Sequence, residues 1–172
     1  MGDDMDILKT AIDWTKAEMF SSAFFILFGV VFLVASFGFW QLGKTDMSRA
    51  YVIPTLVAGA LLLIIGVGIF LPSMSRVTSF ETAFINDAAA FIQTEIARAD
   101  RVLKEYRIAV YMVVPLIVVV SALLLIFLQG PIWRASLVTV IAMMGVIFII
   151  DTNANARLEI YRGQLSEAGD AL

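Results

Sequence analysis

The chain has 172 residues, of which 60% are hydrophobic and only 16% are charged, and this composition predicts an integral membrane protein and not a soluble domain. It contains no Cys and no His, which excludes disulfides, thiolate and histidine-dependent catalysis, and most zinc and haem sites. The net charge of -3 argues against nucleic acid as a partner, because phosphate binding needs a basic surface.

The chain begins with a polar segment that leads into the first apolar span. Residues 1–18 are predicted to form an amphipathic cytoplasmic helix, since Met5, Leu8 and Ile12 share one face. Acidic residues stand where a cleaved signal peptide would carry bases, so we expect the first span to be retained. Span one covers residues 19–43 without a charged side chain, which is long enough to cross roughly 30 Å of hydrocarbon.

Span two covers residues 50–74, and the short loop before it requires the two spans to form an antiparallel hairpin. Both spans carry small residues at intervals of seven, a pattern that lets two helices approach closely. An oligomer interface along one of these stripes is the alternative. The seam that we expect between spans one and two consists of Ser22, Gly29, Ser36, Gly43, Gly59, Gly66 and Ser73.

A helical stripe of apolar residues runs through residues 76–107, which are predicted to form a cytoplasmic amphipathic helix continuous with span three. Glu81 and Glu95 fall within its apolar face, and Arg98 is available to Glu95 at the i,i+3 spacing. Buried acids need partners, so these residues are expected to form an ion pair within the bundle. A binding point for a partner protein and one half of an ion site are the alternatives.

Spans three and four cover residues 108–129 and 132–150, and the fourth begins just after Gly130-Pro131. Pro115 removes a backbone hydrogen bond and should kink span three. Residues 151–172 are predicted to form a cytoplasmic helix and tail, with Gly163 as the expected end of the helix.

The distribution of bases predicts the orientation. Nine of the twelve Lys and Arg residues lie on the side that carries both termini, which places that side in the cytoplasm, most simply of a bacterial inner membrane. We therefore expect an all-α membrane protein with four transmembrane helices, whose cytoplasmic extensions form a small bundle. The alternative for the stripe of residues 76–107 is a helix lying flat on the lipid surface.

A polar cluster directly follows span four. Its acid and amides have the spacing that opens an EF-hand loop, but Ala156 and Arg162 replace the glycine and glutamate that calcium binding requires. No metal or cofactor is expected. The cluster is instead interpreted as a solvated helix exit or as an interface with lipid headgroups. Its members are Arg107, Asp151, Asn153, Asn155 and Arg157.

The spans carry no ionisable residue in mid-membrane and no paired helix breaks, which disfavours a transporter. We expect a non-catalytic membrane scaffold, accessory, or immunity/regulatory protein that binds membrane lipids and another protein or further copies of itself. The first alternative is a subunit of an oligomeric channel or ion-driven motor-type complex. The second is an enzyme acting on lipids, which would gather Asp151, Asn155 and Arg107 around an open cavity.

Overall fold

The protein is all-helical. The computed structural model describes residues 2–170, with side chains from residue 6 onward, so the extreme ends of the two predicted terminal segments lie outside the described residues. The helices are α1 (Gly2–Leu42), α2 (Asp46–Ala50), α3 (Val52–Asn86), α4 (Ala88–Ile108), α5 (Val114–Phe127) and α6 (Pro131–Asp170), and a π-helical turn at Ala109–Val113 joins α4 to α5.

Four helices in the described part of the chain are long and apolar enough to cross a membrane, as the sequence predicts. Each runs on as a polar extension, so the molecule has two regions with separate cores. We call residues 6–18, 76–107 and 151–170 the extension bundle, whose core includes Ala11, Phe91 and Leu158. We call residues 19–75 and 108–150 the apolar half, whose core includes Phe25, Leu62 and Met143.

The hairpin of α1 and α3 brings the two stripes of small residues into contact. A Cβ on Gly29 would lie 3.0 Å from the carbonyl oxygen of Gly59, and one on Gly59 would lie 2.8 Å from the carbonyl oxygen of Gly29. A Cβ on Gly66 would lie 2.9 Å from the backbone nitrogen of Ile26. At these positions the backbones are too close for any side chain, which is why glycine is required.

The serines of the same stripes are buried and hydrogen-bonded. Ser36 Oγ donates across the hairpin to the carbonyl of Val52 at 2.7 Å, and Ser22 Oγ donates within α1 to the carbonyl of Met19 at 2.7 Å. Gly43 has a different position, because it follows the end of α1 and its carbonyl accepts a hydrogen bond from Arg49 Nε at 3.2 Å. It therefore belongs to the loop and not to the packed seam.

The segment 76–107 is two helices and not the single helix that its apolar stripe indicates. The chain leaves helical geometry at Asp87, where φ is -161° and ψ is 97°, and α4 starts at the next residue. The Asp87 side chain accepts a hydrogen bond from the backbone nitrogen of Ala90 at 2.9 Å, which caps α4. Phe91 then packs edge-on against Phe80 and Phe84, so α4 turns back beside the end of α3.

Pro115 and Gly163 do not have the effects on their helices that the sequence predicts. The π-helical turn ends at Val113, two residues before Pro115, and the backbone nitrogen of Val114 donates to the carbonyl of Ala109. The extra residue in this turn accommodates the hydrogen bond that is lost at the proline. Gly163 does not end its helix, since α6 runs unbroken from Pro131 to Asp170. Packing of α6 against α1, α3, α4 and α5 outweighs the weak helix propensity of one glycine.

Candidate functional site: an interhelical polar cluster

A stack of three side chains lies in the extension bundle. The rings of Trp14 and Tyr161 are stacked with centroids 4.9 Å apart and planes 9° from parallel. The guanidinium carbon of Arg98 lies 4.6 Å from the centroid of the Trp14 ring, which is within the range of a cation–π interaction. The stack joins α1, α4 and α6.

Glu95 closes this stack into a ring of contacts. It is only 4% exposed, and it accepts hydrogen bonds from Arg98 Nε at 3.0 Å, from Arg98 Nη2 at 2.6 Å and from the Tyr161 hydroxyl at 3.0 Å. Each buried polar group therefore has a partner, as burial requires. We call Trp14, Glu95, Arg98 and Tyr161 the Trp14 cluster.

A second ion pair lies beside the Trp14 cluster and adds the fourth long helix. Ser73 Oγ donates to Glu18 Oε2 at 2.8 Å, and the Arg76 guanidinium forms an ion pair with the same carboxylate. Arg76 Nη2 also donates to Ser73 Oγ at 2.8 Å, and its guanidinium carbon lies 5.8 Å from the Trp14 ring. Charged side chains of α1, α3 and α4 thus converge on one tryptophan.

The local electrostatics keep Arg98 and Tyr161 in one protonation state. Burial acts to lower the pKa of Arg98, but its hydrogen bond to Glu95 and the charge of that carboxylate outweigh burial, and the pKa rises. Burial raises the pKa of Tyr161, and the neighbouring Glu95 carboxylate raises it further. Tyr161 therefore stays a hydrogen-bond donor and Arg98 stays charged at physiological pH.

Glu81 does not join Glu95. Its side chain is exposed on α3, whereas Glu95 is buried on α4. The shared face assigned to these two acids required one continuous helix, and the break at Asp87 resets the rotation of the chain between them. Of the two acids, only Glu95 lies in the Trp14 cluster.

The polar cluster after span four is divided between the interior and the surface. Asn155 is buried and its Nδ2 donates to Glu159 Oε1 at 3.3 Å, while Arg157 donates to Ser21 Oγ of α1. Asn153 is exposed and donates to the carbonyl of Ile149 at 2.8 Å, and Arg107 is exposed on α4. None of these residues lines either of the two cavities described below.

Asp151 is the acid at the end of the apolar stretch of α6. Burial raises its pKa to about 6, and its charge in turn raises the pKa of Tyr106 on α4 after burial has already done so. The positive charge of Arg157 acts in the opposite direction and lowers the pKa of Tyr106. Asp151 therefore lies near α4 without an ion pair to another described residue.

Two cavities lie away from the Trp14 cluster. One, of about 420 Å³, lies in the extension bundle between α4 and α6 and is lined by Ile92, Gln93 and Arg162 among others. The second, of about 290 Å³, lies in the apolar half between α3 and α6 and is lined by apolar residues with Ser136 and Thr139. Among the residues that the structure describes, no three acids are grouped closely enough to hold a metal ion.

Three members of this region were not singled out by the sequence pattern. Trp14 and Glu18 lie on α1 and Tyr161 lies on α6. A tryptophan next to charged residues in an amphipathic helix is the available signal, because its large ring tends to be buried with a polar partner. Tyr161, which stacks on Trp14, lies well over a hundred residues away in the chain, so this contact cannot be predicted from residue spacing.

The chain matches no family model, and no curated protein or solved structure matches it. Its function is therefore inferred from the residues and their geometry.

Proposed function

We propose that this protein is a non-catalytic integral membrane scaffold or accessory protein that acts through contacts with another protein. The observation that carries the proposal is the closed Trp14 cluster. Its buried acid, its arginine and its two aromatic rings are hydrogen-bonded to or stacked on one another. An enzyme site needs groups that are free to contact a substrate. The cluster instead ties α1, α4 and α6 together within the extension bundle.

The arrangement of the remaining polar groups supports this proposal over an enzyme that acts on lipids. Such an enzyme should gather Asp151, Asn155 and Arg107 around one open cavity. Asn155 is buried against Glu159, Arg107 is exposed, and none of the three lines either of the two cavities. This arrangement supports a packing role for these polar groups over contact with a substrate.

The proposed placement has the apolar half in the bilayer and the extension bundle in the cytoplasm with both termini, in a bacterial inner membrane. The excess of Lys and Arg at the bundle end supports this orientation. Partners would then meet the protein at the bundle surface or within the bilayer. Labelling of single introduced cysteines from either side of sealed membranes tests the orientation, and the chain offers a cysteine-free background for it.

Recovery of the intact complex from native membranes tests the proposal. A scaffold should be recovered with a second protein. The mass of the complex should then exceed 18.9 kDa, the mass of this chain, and should not be a whole multiple of it. Glu95→Gln should reduce recovery of that partner because it loosens the bundle, and Glu81→Gln is the matched control on an exposed acid. Repeated recovery of the chain alone, or only with its own copies, contradicts the proposal.

A further inference from the structure

The bases of the extension bundle fall into two groups. Arg76, Arg98 and Arg162 form ion pairs, and Arg157 donates a hydrogen bond to Ser21. The others are exposed, and the structure gives them neither an ion pair nor a side-chain hydrogen bond to another described residue. This second group consists of Lys9, Lys16, Arg101, Lys104 and Arg107.

Three of these unpaired bases lie on α4 within two turns of the apolar half. Lys104 and Arg107 are three residues apart, and Tyr111 follows Arg107 by four, so the three side chains are neighbours along one side of the helix. Ala99 and Val110 are fully buried on the side that faces the core. We call Lys104, Arg107 and Tyr111 the Arg107 face.

The Arg107 face crosses the boundary between polar and apolar sequence. Lys104 and Arg107 precede the apolar stretch, whereas Tyr111 belongs to its first turns and is 54% exposed. At helical rise the three residues span roughly 10 Å, comparable with the headgroup layer on one side of a bilayer, which is roughly 5–8 Å thick. A tyrosine at this depth is typical of a membrane interface.

The surface next to these bases suits a ligand that is anionic at one end and apolar at the other. Ile108, Met112 and Leu116 are 47%, 67% and 63% exposed and continue along α4 and α5 from the two bases. Two acids lie close to these bases. Glu105 is next to Lys104 and therefore about 100° around the helix, and Asp100, one turn before Lys104, is paired with Arg162 at 2.9 Å. A phosphopeptide would use the bases but not the apolar continuation, so the combination favours a phospholipid.

We propose that the Arg107 face binds the phosphate of an anionic phospholipid of the cytoplasmic leaflet, with the acyl chains along Met112 and Leu116. The proposal depends on the proposed function only for the placement of the apolar half in a membrane with the extension bundle on its cytoplasmic side. Arg107 supplies a planar donor group suited to phosphate, Lys104 adds a second charge, and the Tyr111 hydroxyl is available as a donor at the same interface. Each base near an anionic surface should contribute about a fivefold gain in affinity.

Lipid retention by the purified full-length protein tests this proposal. The protein is stripped of bound lipid in mild detergent and titrated with phosphatidylglycerol or with phosphatidylcholine of the same acyl chains, and bound lipids are counted by native mass spectrometry. We expect at least one phosphatidylglycerol to bind in preference to phosphatidylcholine. Arg107→Gln should weaken that binding about fivefold and Lys104→Gln/Arg107→Gln by about twentyfold or more, while Arg107→Lys should retain most of it.

Lys9→Gln is the matched control, because Lys9 is also an exposed unpaired base of the bundle but lies far from the apolar stretch. It should leave lipid binding unchanged, as charges beyond about 10 Å are screened at moderate salt. Equal retention of the two lipids, or equal loss in Lys9→Gln and Arg107→Gln, overturns the proposal. Thermal unfolding in detergent confirms that each variant is folded, and co-flotation with vesicles reports membrane insertion separately, so failure of lipid selectivity is distinguishable from failure of the membrane placement.

Discussion

The apolar half and the extension bundle are held together by different means. In the apolar half, α1 and α3 meet at Gly29, Gly59 and Gly66, where no side chain intervenes. In the extension bundle, helices meet through large aromatic rings, the ion pairs Arg76–Glu18 and Arg162–Asp100, and the hydroxyl of Tyr161. In the proposed placement, lipid gives the apolar helices little reason to associate, so close backbone contact supplies the attraction, whereas in water the burial of aromatic surface does so.

The comparison also explains where the charges lie. The apolar half, outside its loops, has hydroxyl groups that bond to backbone carbonyls, such as Ser36 to Val52. The extension bundle buries Glu95 and pairs it fully. The buried ion pair is stable there because the Tyr161 hydroxyl and the Trp14 ring also contact it. An unpaired charge in hydrocarbon would be strongly destabilising.

The largest expected effect is loss of the aromatic centre of the extension bundle. Trp14→Ala removes the ring that contacts Tyr161 and Arg98, and it should lower the free energy of unfolding by about 3–4 kcal/mol. Trp40→Ala is the matched control on the same helix, since Trp40 is 64% exposed at the other end, and it should cost less than about 1 kcal/mol. Chemical denaturation in detergent measures both, and similar losses would break the contrast between the two regions.

Removal of the buried charge should have the next largest effect. Glu95→Gln leaves Arg98 without its carboxylate and should lower the free energy of unfolding by about 2–3 kcal/mol. Glu81→Gln removes an equal charge from an exposed position and should change it by less than about 0.5 kcal/mol. If thermal denaturation shows both variants to be as stable as the wild type, the Trp14 cluster does not hold the bundle together.

The seam of the apolar half can be tested with two glycines of one helix. Gly59→Ala should lower the free energy of unfolding by about 1–2 kcal/mol, because the added Cβ would lie 2.8 Å from the carbonyl oxygen of Gly29. Gly68→Ala meets no atom within 4 Å and should be neutral or stabilising by up to about 1 kcal/mol through helix propensity. Opposite signs in an unfolding titration support the seam; destabilisation by both variants to the same extent would refute it.

The smallest expected effect concerns Asp151, at the boundary between the two regions. Burial raises its pKa in the folded protein to about 6 from the ordinary value of 3.8, so its ionised form opposes folding. Its cost is absent below about pH 4, grows between about pH 4 and pH 6, and is constant above that range. Asp151→Asn should therefore be more stable than the wild type by about 1 kcal/mol at pH 8, since partial exposure reduces the full effect, and equal to it near pH 4. A stability difference that does not change between these pH values contradicts this assignment.

The break at Asp87 shows what a periodic pattern misses. Apolar residues continue across positions 76–107 without a Gly or Pro, so the pattern predicts one helix. The available signal was Asp87 itself, because an aspartate whose carboxylate accepts from a backbone nitrogen three residues later is a common helix start. The pattern cannot distinguish an aspartate that caps the start of a helix from one inside a helix. The outcome depends on whether α3 and α4 packed side by side are more stable than one continuous helix.

The sequence by itself determined the four apolar helices, because length and hydrophobicity are properties of consecutive residues that require no partner. It also indicated the contact between the small residues of α1 and α3, because the short connection makes those two helices antiparallel neighbours. Only the tertiary structure decided that Glu95 meets Tyr161, that Trp14 lies between Tyr161 and Arg98, and that Glu81 remains outside. Those contacts join residues far apart in the chain, and their energies depend on distances and burial that exist only after the helices have packed.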